Sequence, residues 1–265
     1  MTRALSLAAG VLPEFGADVV AEAAGAAGFP MVGFTVDPTT WSDAMTRRVQ
    51  ERVDHWGLTV LDAEVIWIPA GGAVTDGHRL IVDVAAELGA RNLLVVSSEP
   101  DIGRTADALR SLCERAAPAG MRVALEFLML TPIRTLDQAL AVVAACDHPA
   151  AAVLIDTLHL QRGGHGPGAL RDVDPSLLPY VQFCDGLATC ADTPAHYLED
   201  AVDLRAAPGD GELPLVELLG LLPAGCPLSL EVRSRAWRER YPDPAARATA
   251  LLARSRNFFD AYPAP

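Results

Sequence analysis

Strand and helix signals alternate along this chain from end to end, and that alternation restricts its fold more than any other feature. Short aliphatic stretches are each followed by a stretch whose apolar residues recur at helical spacing. Strands are predicted at residues 4–11, 31–36, 58–68, 92–97, 121–127, 152–156, 180–184 and 228–232. A first helix spans residues 18–27, with Val19, Val20, Ala23, Ala24 and Ala27 on one face and Gly28 as a stop; a second spans residues 43–56. A third runs over residues 76–88 and closes at Gly89. Asp101 caps a fourth, whose apolar face is Leu109, Leu112, Cys113 and Ala116. Thr135 and Gln138 form a capping box that turns Leu136, Leu140 and Val143 inward. Asp243 and Pro244 open a last helix with Leu251, Leu252, Ser255 and Phe259 on its face.

Eight strands and about eight helical segments in alternation mean parallel strands joined by crossover helices, which close into a (β/α)8 TIM barrel. A doubly wound open sheet would carry a glycine-rich phosphate loop after the first strand, and LAAGVLPEFG is not GxGxxG. The length of 265 residues is that of one such barrel, so a single α/β domain is expected over 1–265. No run reaches eighteen consecutive apolar residues, which predicts no membrane span. The opening MTRALSLAAGVLPEF sets one Arg before a short apolar run, as a signal peptide does. Pro13 and Glu14 follow at once, however, and the run suits a first strand. A formal net charge of −13 argues against a nucleic-acid partner, which would require a basic face. Cys113, Cys146, Cys184, Cys190 and Cys226 form no CxxC pair, are odd in number and mostly sit in apolar segments. They read as reduced thiols in a cytoplasmic protein.

Four strands end in the same unusual way. ALEF ends near Glu126, AVLID on Asp156, YVQFCD carries Gln182 and Asp185, and LSLEVR carries Glu231. Side chains alternate along a strand, so their phase is directly legible. Val123, Leu125 and Phe127 oppose Glu126; Val153 and Ile155 oppose Asp156; Val181 and Phe183 oppose Gln182; Leu228, Leu230 and Val232 oppose Glu231. The branched and aromatic residues suit packing on outer helices. The polar ones then point into the barrel mouth at the C-terminal strand ends, where such barrels keep their chemistry. Carboxylates converging there repel unless a cation sits among them. Glu126, Asp156, Gln182 and Glu231 offer hard oxygen ligands, so the expected cofactor is one Mn²⁺ or Mg²⁺, with Co²⁺ or Zn²⁺ as substitutes. The plain packing alternative is that each polar residue caps a helix or pairs with an arginine.

Other residues join this mouth as candidates. His159, three residues after Asp156, is placed to donate to a substrate oxygen or relay a proton. Arg233, two residues after Glu231, is placed to bind an anionic substrate group or to pair with an acid. Glu64 and Trp67, near the end of the third strand, are candidates to line the pocket. Residues 186–211 make a long connection after the seventh strand, and such loops are commonly functional. Its acids Asp192, Glu199, Asp200 and Asp203 read as a solvated face. It returns through Arg205 and the turn Pro208, Gly209, Asp210 and Gly211, and Arg205 is expected to reach a substrate oxygen.

Taken together, ALEF, IDTLH, VQFCD, LEVR and the R-x-x-P-G-x-G run from Arg205 to Gly211 resemble the xylose-isomerase-like barrel superfamily, the sugar phosphate isomerase/epimerase group, over essentially the whole chain. The resemblance to its ketose epimerases implies that Glu126, Asp156 and Glu231 bind the metal and that the two glutamates exchange the substrate proton. It further implies that His159 and Arg205 hold substrate oxygens. Where those epimerases carry a metal-binding histidine this chain has Gln182, which resembles the dehydroshikimate dehydratase branch that eliminates water.

The first reading is therefore a metal-dependent isomerase or epimerase of a small polyhydroxylated carbonyl compound (a sugar, keto-sugar or cyclitol). Glu126 and Glu231 act as base and acid around a metal-stabilised enediolate. The alternative is a lyase that dehydrates a dehydroshikimate- or inosose-like substrate. A DNA-repair role, known for a branch with this barrel and a His-rich three-zinc cluster, conflicts with six scattered histidines and the acidic charge. A metal-free binding or scaffold protein would lack the cation. The expected partner is the small-molecule substrate, with no nucleic acid and no membrane; a homo-oligomer is compatible with the sequence.

Overall fold

Eight parallel strands close on themselves in sequence order, each hydrogen-bonded to its chain neighbours and β8 to β1. The computed structural model describes residues 3–263. The strands are β1 Leu5–Leu7, β2 Met31–Thr35, β3 Thr59–Ile68, β4 Asn92–Ser97, β5 Arg122–Glu126, β6 Ala151–Asp156, β7 Val181–Phe183 and β8 Leu228–Leu230. Around them lie α1 Ala17–Ala27, α2 Asp43–Trp56, α3 Asp76–Glu87, α4 Ile102–Ala116 and α5 Leu136–Cys146. The second half carries α6 Thr157–Arg162, α7 Pro194–Asp203, α8 Leu215–Leu221, α9 Arg235–Arg240 and α10 Pro244–Ala261. The caps read from sequence are in place. Asp101 and Asp243 accept from the backbone of Arg104 and Ala246, and Thr135 and Gln138 make the reciprocal box. No helix of the described residues is long and apolar enough to cross a membrane.

Strand alternation separates two apolar layers. Val123, Leu125, Val153, Ile155, Val181, Phe183, Leu228 and Leu230 pack outward among the helices. Ala124, Ala152, Leu154 and Tyr180 fill the barrel interior with Met31, Leu61, Leu94 and Val96. Glu126 and Asp156 continue the interior phase of Ala124 and Leu154, which is why they arrive at the mouth.

Several expected details shift. The first strand stops at Leu7, and a 3-10 turn over Ala9–Val11 follows. On α1, Val19 is exposed and Ala21 takes its place inside; on α10, Phe258 is the buried aromatic and Phe259 is only partly covered. There are ten α-helices among the described residues, partly because residues 186–211 contain α7. Nor is their acidic patch simply solvated. Asp200 is buried, and its Oδ2 accepts from Arg162 Nε at 2.7 Å. The five cysteines are free thiols, four of them buried.

Candidate metal centre and active site

Five carboxyl groups lie buried at the mouth and just below it: Asp62, Glu64, Glu126, Asp156 and Glu231. Among the described residues two guanidiniums, those of Arg205 and Arg233, face them. The electrostatic consequence is direct. Burial, then the charges of Asp156 and Glu231, pushes the Glu126 carboxyl well above its usual range. Glu64 is raised by burial and by Glu231, and Asp62 by burial, Glu64 and Glu231. A site with such a surplus of negative charge suits a cation.

The donor geometry fits one. The amide of Gln182 stands between the two glutamates, its inner end 3.0 Å from Glu231 Oε2 and 3.2 Å from Glu126 Oε1. With nitrogen turned inward the amide donates to both carboxylates. With oxygen turned inward, three oxygens converge and call for a cation among them. Glu126, Asp156 and His159 also each offer a ligand atom within 4.8 Å of one another. His159 thus stands among the potential ligands, a place that sequence reasoning did not give it. The donor set is then not oxygen-only, which keeps Zn²⁺ and Co²⁺ beside Mn²⁺ and Mg²⁺ as candidates.

Asp156 does what the plain packing alternative asked. Its Oδ1 accepts from the backbone N–H groups of Leu158 and His159, so it is the N-cap of α6. Its Oδ2 accepts from Arg205 Nη1 at 2.5 Å. Arg205 comes from the end of the long connection, is buried, and donates through Nε to Ala201 O at 2.7 Å. The same Nη1 is 3.4 Å from Glu231 Oε2. Glu231 also accepts from Arg233 Nε at 3.0 Å, so two arginines compensate its charge. Among the described residues Glu126 has no such partner, and the basic group it meets is His159 Nε2 at 3.9 Å.

His159 is held from behind. Its Nδ1 is 2.5 Å from the hydroxyl of Tyr197 on α7, and its Nε2 is 3.4 Å from Arg205 Nη2. Burial, then Arg205, lowers the imidazole to about 3, so the ring is neutral across the physiological range. Tyr197 selects the tautomer. By donating to Nδ1 it leaves Nε2–H facing the mouth; by accepting from Nδ1–H it leaves Nε2 to accept from Arg205. Sequence reasoning missed Tyr197, because a single tyrosine inside an unassigned connection carries no motif.

The remaining candidates are at the rim. Arg233 Nη2 reaches Glu64 Oε1 at 3.3 Å, and Thr35 Oγ1 donates to that same oxygen at 3.1 Å. Trp67 is 43% exposed and donates to Ser98 Oγ at 2.6 Å, lining the same cavity as Glu64, Glu126, His159 and Arg205. Asp185 fixes the return of the long connection by accepting from Gly186, Gly209 and Leu213 N–H groups at 2.9, 3.0 and 3.0 Å. A Cβ at Gly211 would collide with the Asp185 carboxylate and the Gly186 backbone, so the turn needs glycine there.

Comparison with known proteins agrees with this fold. A family model described as "Xylose isomerase-like TIM barrel" matches residues 20–257. A 3-dehydroshikimate dehydratase of Pseudomonas putida is 32% identical over 165 residues, 59% of this chain and 25% of that protein. One from Pseudomonas aeruginosa is 29% identical over 246 residues, 86% of this chain and 37% of that protein. The chain therefore spans about a quarter to just over a third of the length of these relatives. Among solved structures, the IOLI protein with a binding zinc atom superposes with a TM-score of 0.78 at 17% identity, covering 97% of this chain and 98% of that one. D-allulose 3-epimerase from Methylomonas sp., solved with D-allulose, gives 0.72 at 14% identity, covering 98% and 97%. At these identities the structural likeness speaks for the fold.

Proposed function

The chain belongs to the xylose isomerase-like TIM barrel family, and on that footing we propose that it is a divalent-metal-dependent dehydratase acting on a cyclic β-hydroxy ketone of the dehydroshikimate type. The observation that carries this reading is the inequality of the two glutamates. Glu231 is engaged by Arg233 and faces Arg205, whereas Glu126 has no guanidinium partner. Epimerisation by two carboxylates needs a free acid–base group on each side of the substrate. Dehydration needs only one, which takes a proton and returns it.

A divalent cation held by Glu126, Asp156, Gln182 and Glu231 would act as a Lewis acid that stabilises the developing enolate charge. The protein groups do the rest. Glu126 takes the proton from the carbon beside the carbonyl, and the electron pair enters the enolate. As the carbonyl re-forms, that pair makes the C=C bond and expels the β-hydroxyl, which leaves as water with the proton returned from Glu126. His159, with Tyr197 donating to Nδ1, presents Nε2–H to a substrate oxygen as a neutral hydrogen-bond donor. Arg233 directs Nε and Nη2 at Glu231 and Glu64, which leaves Nη1 for an anionic substrate group. The names of the two curated relatives support the same order of readings.

The epimerase reading keeps one observation in its favour: Glu126 and Glu231 flank Gln182 and therefore flank whatever binds there. Incubating the Mn²⁺-loaded protein with 3-dehydroshikimate separates the two. Dehydration gives an aromatic product with new ultraviolet absorbance that chelator abolishes. No absorbance with that substrate, together with interconversion of D-allulose and D-fructose, would establish the epimerase instead.

A further inference from the structure

The mouth has two lobes, and only one lies over the carboxylates. That lobe, of about 190 Å³, is lined by Glu126, Gln182, Glu231, His159 and Arg205. A second, of about 500 Å³, opens over the ends of β1 and β2 and is lined by Phe15, Phe34, Trp41, Met45, Asp37 and Thr40. The two share Glu64, Val65 and Arg233 as a common border. The first lobe alone is below the ~300–1,000 Å³ of ordinary ligand pockets, and with the second the site lies within that range.

The border is built rather than incidental. Arg233 lies across the 3-10 turn after β1, where a Cβ at Gly10 would collide with its Nε. From there it reaches both Glu231 and Glu64. The second lobe is also held in shape. Trp41 Nε1 donates to Thr46 Oγ1 at 2.9 Å, and the Arg247 guanidinium sits 5.9 Å from the centroid of Phe15. Its charged groups are Asp37 and the shared Glu64 and Arg233, and Arg233 turns Nε and Nη2 to the two carboxylates at the border. An anionic occupant finds no free cation beyond the border. Half-buried aromatic faces with a hydroxyl and a carboxylate at the rim suit an uncharged ring.

We propose that the mouth takes a substrate in two parts: an oxygen-rich reacting ring over Glu126, Gln182 and Glu231, and an attached uncharged ring in the Phe15–Trp41 lobe beyond Arg233. The assignment of the reacting end rests on the function proposed above. Calorimetric titration of the Mn²⁺-loaded protein with phenyl β-D-glucopyranoside and methyl β-D-glucopyranoside tests it without turnover. The phenyl compound is expected to bind at least ~10-fold more tightly, a difference of about 1.4 kcal/mol. Phe15→Ala, which empties the lobe, and Met45→Trp, which fills it, should each reduce that advantage below about threefold and leave methyl-glucoside affinity unchanged. Equal affinities in the unaltered protein, no binding of the phenyl compound, or an advantage that survives both substitutions would overturn the proposal. Turnover of 3-dehydroshikimate, run in parallel, reports on the dehydratase reading separately.

Discussion

Arg205 and Asp156 form an ion pair inside the barrel mouth, with Nη1 2.5 Å from Oδ2 and side chains 3% and 0% exposed. The guanidinium also approaches Glu231, so it serves as the fixed positive charge of the site. Removing one partner of such a pair leaves an uncompensated buried charge, at about 3–5 kcal/mol. Arg205→Ala should lose stability of that order in urea unfolding with chelator present. Added Mn²⁺ should recover more stability in the variant than in the parent, because the cation takes over part of the neutralisation. Equal Mn²⁺ effects in the two proteins would show that Arg205 and the metal do not share these carboxylates.

Gln182 gives the metal site its own test. The Gln182 amide can donate to Glu126 and Glu231 with its nitrogen inward, or offer its oxygen to a cation held between them. Saturating Mn²⁺ should raise the melting temperature, by the equivalent of about 2.7 kcal/mol at 100 times Kd. Gln182→Leu should weaken Mn²⁺ binding by at least ~10-fold in calorimetry, whereas Gln182→His should retain it. Unchanged affinity in the leucine variant would remove Gln182 from the ligand set.

Much of this site was legible in the sequence because strand phase is a strict two-residue code. Glu126, Asp156, Gln182 and Glu231 could be placed in one mouth from the aliphatic residues that alternate with them. Contacts made by the long connection were not legible in the same way. Asp200 looks like its neighbours Glu199 and Asp203 in sequence, and only the fold of α7 reveals that it is buried against Arg162. Tyr197 meets His159 across 38 residues with no shared motif. The choice of Phe258 over Phe259 on α10 turns on a helical phase that one residue shifts by 100°, and both are aromatic.

Tyr197 lines the cavity and bonds His159 Nδ1, and acting through that ring makes it a positioning residue. Tyr197→Phe should lower kcat on 3-dehydroshikimate by roughly 10-fold, and by up to about 10²-fold if the ring rotates. KM and Mn²⁺ affinity should change little. A kcat equal to that of the parent would leave Tyr197 only a packing role.

Acid stability has a separate source, outside the carboxylate cluster. Glu99, with its side chain buried, accepts from Arg104 Nη2 at 2.6 Å and from the N–H groups of Asp101 and Gly71 at 2.8 and 2.5 Å. The Arg104 hydrogen bond first, then the Asp101 N–H, hold its carboxyl down at about 2. The unfolded chain, with a glutamate pKa of about 4.3, takes up the proton first, so this contribution is present above that pH. It is lost as pH falls from there through about 2. Glu99→Gln should therefore be less stable than the parent at pH 7 and show a flatter decline of stability across that window. Parallel pH–stability curves would contradict this assignment.

The inequality of the glutamates is measured most directly by comparing Glu126→Gln with Glu231→Gln at saturating Mn²⁺. Proton transfer by a positioned carboxylate is worth about 10²–10⁴-fold. Glu126→Gln is expected to lose kcat on 3-dehydroshikimate by that factor or more. Glu231→Gln should need more Mn²⁺ to saturate but retain kcat within about 10-fold. Equal losses of kcat in the two metal-saturated variants would contradict single-base dehydration.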